Sequence, residues 1–314
     1  MADIQFLLIG LVYSGIILLG ALGVSLIYGV KRFANFAHGD LMTLGAYMAL
    51  FGVGLFGGNM LVGVLFSFVV LAFVGIVLEV LIFGRLENRG PIAPLIASVG
   101  VSLVLQNVVN LVFSTQIKNY PVPLVDNWYF GPFFLNPIRG LIPLVAGYGA
   151  ALALLLLLRF TKLGKAMRAA ADNLDLARTS GVNTRAVYFS TWALASVLAA
   201  AGGVMLGLNT DLTPTMGFTV LLVLFAAVIL GGIGSVAGSA VGALVIGITY
   251  ALFYPFAIQF NVSTQWFLAV PFGLMVLMLI FRPWGLLGKP VGRETRSVLT
   301  DLRETFHMVF GRRD

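Results

Sequence analysis

Gln106, Asn107 and Asn110 fall at i, i+1 and i+4 within an otherwise apolar stretch, which places them on one face of a helix. Amides in that setting either bind the polar groups of a permeating solute or hydrogen-bond between helices, and both uses turn them toward protein or water rather than lipid. Glu79 lies inside another apolar stretch, six residues before Arg85. A buried acid of this kind is costly and marks a transport role or a pairing with a nearby basic group. No catalytic set accompanies them. The chain has two histidines, His38 and His307, far apart in sequence, and no cysteine, so no metal site, disulfide or thiol chemistry is expected. A Gly-x-x-x-x-Gly-Lys-Ser/Thr phosphate loop is missing as well, so the energy for any uphill movement must come from an ion gradient or a partner.

The elements that position these residues are apolar blocks. Hydrophobic residues make up 60% of the chain and charged residues 10%, with a mean hydropathy of +1.02. A soluble domain carries about 25% charged residues, so this surface faces lipid. Roughly nine apolar stretches can be marked, most close to the length that crosses a bilayer. In the alternating topology they impose, all but Lys118 and Arg139 of the 19 Lys and Arg fall on one side. Basic loops stay in the cytoplasm, which predicts an N-terminus outside and a C-terminus inside. The net charge of +7 then reflects loops beside anionic headgroups rather than a nucleic-acid surface. The start, Met1-Ala2-Asp3-Ile4-Gln5, lacks the basic region of a signal peptide, so the first stretch is expected to be retained.

The expected fold is all-α, a polytopic transmembrane helical bundle of about 8–10 spans with re-entrant or broken helices. The second stretch is short and rich in glycine, and segments 217–230 and 236–254 are joined by Gly231-Gly232-Ile233-Gly234-Ser235. Gly234, Gly238 and Gly242 form overlapping Gly-x-x-x-Gly steps that permit close helix packing. Residues 115–140, with four prolines among aromatics, are expected outside and not as one continuous helix. Residues 289–314 read as a basic amphipathic cytoplasmic tail suited to the membrane surface or a partner.

Two motifs in this frame carry a resemblance. The stretch 159–185 is the longest internal polar segment, and its alanine-rich part reads as a short helix that ends at Gly181, a residue suited to a helix C-terminus. Asp175-Leu176-Ala177-Arg178-x-x-Gly181 resembles the Glu-Ala-Ala-x-x-x-Gly element with which ABC importer permeases dock into their ATPases, although Asp175 and Leu176 replace the Glu and first Ala. An ordinary amphipathic helix is the plain alternative. Asn35-Phe36-Ala37-His38-Gly39-Asp40, with the residues around it, resembles the opening of branched-chain amino-acid ABC transporter permeases, the H-type of their two paired subunits. The resemblance extends over nearly the whole chain and includes 96–107, the glycine-rich turn and Arg282-Pro283-x-Gly285-Leu286.

That resemblance implies a permease domain over 1–288 with an ATPase-docking loop at 159–185. It implies a second, M-type permease subunit, two ABC ATPase subunits, and an extracytoplasmic amino-acid-binding protein. It implies no cofactor on this chain, with ATP and Mg on the ATPases, and placement in the inner membrane of a prokaryote. Asp175, Ala177, Arg178 and Gly181 would dock the ATPase, Asn35, His38, Gly39 and Asp40 form the family motif, and Gln106, Asn107, Asn110 and Glu79 are candidates for the translocation path. A stand-alone transporter driven by an ion gradient, or a permease for urea, amides or ribose, is the competing reading.

Overall fold

A computed structural model describes residues 2–123, 125–131, 133–260 and 269–288. The amphipathic tail expected over 289–314 and the first residues of the segment ending at 281 therefore lie outside the described residues. The described chain is a helical bundle. Six helices are long and apolar enough to cross a membrane: α1 (Ala2–Lys31), α3 (Met60–Leu81), α4 (Ile92–Phe113), α5 (Ile142–Phe160), α8 (Thr184–Asn209) and α10 (Val236–Gln259). Three shorter apolar helices join them: α2 (His38–Leu55), α9 (Met216–Gly231) and α11 (Ala269–Phe281). α6 (Lys162–Asp172) and α7 (Leu174–Thr179) lie between α5 and α8. In the loop between α4 and α5, β1 (Trp128–Phe130) pairs antiparallel with β2 (Phe133–Leu135).

Of the six long helices α1 and α8 are the most buried, while α3, α4 and α5 present most of their surface outward. With lipid on the outside there is little hydrophobic drive between helices, so close approach of small residues has to hold them. A Cβ at Gly203 of α8 would stand 1.9 Å from the Met42 carbonyl oxygen of α2, and one at Gly75 of α3 would stand 2.2 Å from Ser196 Oγ of α8. Gly238 and Gly242 of α10 face α9 in the same way: a Cβ at Gly242 would meet the Ala227 carbonyl oxygen at 1.9 Å. Gly234 precedes α10, in a turn where its φ is +79°.

α2 and α9 are short because both begin within the bundle. The ring of His38 packs against Gly23, two turns before the end of α1, so α2 starts about 12 Å in from that end. Gly217 at the start of α9 lies against the Gly39 backbone and donates its N–H to Thr43 Oγ1 at 3.0 Å.

Candidate functional site

The stretch 159–185 folds as two helices rather than the single one expected. Thr161 starts α6 by accepting a hydrogen bond from the Gly164 N–H at 2.9 Å. Asn173 breaks the alanine-rich run with an extended backbone, and its Oδ1 accepts the Leu176 N–H at 3.0 Å to begin α7. An asparagine side chain that can replace a backbone partner interrupts a helix for this reason. α7 ends as anticipated in kind: Gly181 has φ +82°, its N–H donates to the Arg178 carbonyl, and the Val182 N–H donates to the Ala177 carbonyl, each at 3.0 Å. This paired closure needs a left-handed residue at that position.

Ala177 is 4% exposed, so its side chain packs within the chain and not in a partner's cleft. The outward face of α7 is Asp175, Leu176, Arg178 and Thr179, and Leu176, at 64% exposed, is the apolar side chain left for a partner.

Beneath α6 and α7 lies a polar network. Glu79, buried on α3, pairs with Lys31, the last residue of α1, at 2.5 Å. The Lys31 ammonium sits 3.6 Å from the centre of the Tyr188 ring on α8. The Tyr188 hydroxyl donates to Glu87 Oε1 at 2.7 Å, and Arg178 of α7 reaches the same oxygen at 2.6 Å. Glu87 belongs to the 3-10 turn Phe83–Arg89 that joins α3 to α4. Arg32 donates to the Ala171 carbonyl and so ties the end of α1 to α6.

A second polar group surrounds the start of α2. Asn35 Oδ1 accepts the Ala37 N–H at 3.1 Å, and Ser98 Oγ accepts the Phe36 N–H at 3.0 Å. Asp40 is buried and takes a hydrogen bond from Ser102 Oγ, with Gln106 beside it. Ser98, Ser102, Gln106 and Asn110 recur every four residues along one stripe of α4, whose Ser98, Ser102 and Gln106 meet the start of α2 and the residues just before it. Asn107 lies off this stripe. It is exposed, and its amide donates to the Leu103 carbonyl of its own helix at 2.7 Å. Gln106 and Asn110 are half-buried. The amide stripe and Glu79 are thus separate places, the first running away from the basic end along α4 and the second at that end. The fourfold serine spacing is the sequence signal that would have found Ser98 and Ser102.

Among the described residues, no group of three His, Asp or Glu is placed to hold a metal.

A bundle of apolar helices, two of them beginning inside it, with a short capped helix held on its basic end, defines a membrane permease. Residues 6–279 match the family model described as the permease component of branched-chain amino acid transport systems. The chain is 31% identical over 303 residues to the high-affinity branched-chain amino acid transport system permease protein BraD of Pseudomonas aeruginosa, covering 91% of this chain and 96% of that one. It is 31% identical over 284 residues to LivH of Escherichia coli K12, covering 86% and 90%. It is 30% identical over 295 residues to the probable branched-chain amino acid transport permease LivH of Methanocaldococcus jannaschii, covering 88% and 90%. No solved structure matches the chain. The chain belongs to this permease family and is a multi-pass transport subunit.

Proposed function

We propose that this chain forms half of the translocation path of an ATP-driven importer for branched-chain amino acids. A second, M-type permease completes the path, two ATPase subunits carrying ATP and Mg dock on α6 and α7, and an extracytoplasmic binding protein delivers the cargo. The N-terminus lies outside and the basic end faces the cytoplasm, a placement that the charge asymmetry supports. Docked ATPases close on ATP, push α7, and swing the helices around a path that α4 borders with Gln106 and Asn110.

The observation that carries this reading is α7 itself. It is a short helix closed by a left-handed glycine, and it presents Leu176 outward from the basic end. The relatives, all permeases of branched-chain amino acid transport systems, support the cargo class. Glu79, the acid considered for a stand-alone cation-coupled transporter, is held by Lys31 at one end of the bundle, and the relatives are permease components of transport systems, which support the importer reading.

Two experiments test it. Gly181→Val puts a branched residue where φ is +82°, at a cost of about 1 kcal/mol or more. Leu176→Glu places a charge on the docking face. Each variant should reach the membrane and retain several-fold less ATPase on co-purification than the unaltered chain. Unchanged association and unchanged leucine-stimulated ATP hydrolysis in both would reduce α7 to a loop. Orientation is read by single cysteines, since the chain has none of its own. Asn127→Cys should label in intact cells with an impermeant reagent and Asn173→Cys should stay silent; the reverse pattern inverts the topology.

A further inference from the structure

Among the described residues, Glu87 is the carboxylate in which contacts from the docking segment and from the membrane-spanning helices meet. Its Oε1 accepts from Arg178 of α7 at 2.6 Å and from the Tyr188 hydroxyl of α8 at 2.7 Å. The face of that same tyrosine ring holds the Lys31 ammonium, and Lys31 holds Glu79. One unbroken series of polar contacts therefore runs from α7 through the 3-10 turn and α8 to the ends of α1 and α3. Its inner half is dry: the Lys31 and Glu79 side chains are 5% and 3% exposed, against 44% and 23% for Arg178 and Glu87. Charges in the dry half act on one another strongly, and those at the rim can part at little cost.

The arrangement has the chemistry for a second pairing. Glu79 and Glu87 meet around Lys31 and Tyr188: Glu79 pairs with the ammonium, and Glu87 takes the hydroxyl of the ring on which that ammonium sits. With Arg178 in place, the Glu87 charge is met by the guanidinium and Lys31 is left to Glu79. If Arg178 moves away with α7, two carboxylates compete for one ammonium at the end of α1. A cavity of about 370 Å³, lined by Lys31, Arg32, Glu87, Asp172 and Tyr188 among others, opens beside these contacts.

We propose that Glu87 is a positioning residue for transport, which carries displacement of α7 to α1, α3 and α8 by gaining and losing Arg178. This rests on the reading that an ATPase docks at α7. The physical warrant is an element whose pairing the moving segment biases, rather than mere intermediacy between two sites.

The test uses the whole complex, purified with its ATPase subunits and reconstituted in vesicles, with radiolabelled leucine inside-to-outside ratio and ATP hydrolysis measured together. Glu87→Gln and Tyr188→Phe should each keep ATPase association and hydrolysis while leucine taken up per ATP falls about tenfold, and the double variant should match the single ones, as expected for residues that act through one contact. A structural role alone would lower association, hydrolysis and uptake in step, and that result overturns the proposal, as do additive effects in the double variant. If Glu87→Gln fails to assemble, Tyr188→Phe decides, because it removes the hydroxyl and keeps the ring under Lys31: an unchanged uptake-to-hydrolysis ratio rejects the role of Glu87, and a lowered ratio with full association supports it. Failure of ATPase subunits to co-purify with the unaltered chain overturns the docking reading and this one together, whereas co-purification with wild-type ratios in all variants overturns this one alone.

Discussion

At the basic end of the bundle, side-chain charges on different helices close on one another: Lys31 on Glu79, and Arg178 on Glu87. At the opposite end the joints are neutral and use the main chain. The Tyr120 hydroxyl donates to the Ala46 carbonyl at 2.8 Å, the Tyr47 hydroxyl to the Leu212 carbonyl at 3.2 Å, and Lys118 and Leu212 exchange backbone hydrogen bonds. The difference has a physical meaning. A hydroxyl on a helix carbonyl has one preferred partner and a modest energy, so it fixes register without making a switch. A cluster of charges can exchange partners, and among the described residues the two ion pairs Lys31–Glu79 and Arg178–Glu87 both lie at the end that carries α7.

Removing one member of the dry pair should break this contrast most severely. Glu79→Leu leaves the Lys31 ammonium buried without its carboxylate, at a cost of about 3–5 kcal/mol, whereas replacing both by apolar residues, as in Lys31→Met with Glu79→Leu, should recover most of it. Thermal unfolding of the detergent-solubilised complex, followed by intrinsic fluorescence, would read both. If Glu79→Leu is as stable as the unaltered chain, the pair is not the anchor of the basic end. The smallest effect belongs to the other end. Tyr120→Phe removes one neutral bond, worth about 0.6 kcal/mol on average between membrane helices, and should leave uptake per ATP unaltered. A loss of coupling from Tyr120→Phe comparable to that from Glu87→Gln would erase the distinction between the two ends.

Much of this was legible in the residues. Apolar blocks and the one-sided Lys and Arg outline the spans, because lipid and headgroups act on composition directly. Gly181 announces its turn, because a left-handed backbone selects glycine locally. What was not legible depends on contacts between distant segments. Glu79 admitted a transport role or a basic partner, and only the fold, which packs α1 and α3 each on α8, selects Lys31, 48 residues away. The burial of Ala177 follows from how α7 lies on the chain, not from its own sequence. The break at Asn173 was available from side-chain chemistry, yet the alanines around it read as one helix. Asn107 shares a helix face with Gln106 only at the coarse level of spacing; the serines at four-residue intervals locate the face more sharply than the amides do.

The depth at which α2 begins bears on how the chain is made. An aspartate at the centre of a span opposes insertion by about 2.5–3.5 kcal/mol, and the first turn of α2 holds Asp40 beside His38. Their cover comes from Gly23 on α1, Ser102 on α4, and Gly217 and Leu221 of α9 packed on Gly39 between them. α1 precedes α2 at the ribosome, but α4 follows it and α9 emerges some 180 residues later. During synthesis the start of α2 is therefore a polar segment waiting for its neighbours. The half-made chain has to shelter it at the membrane edge or in the insertion machinery until the C-terminal helices arrive, so the last third of the chain completes the first.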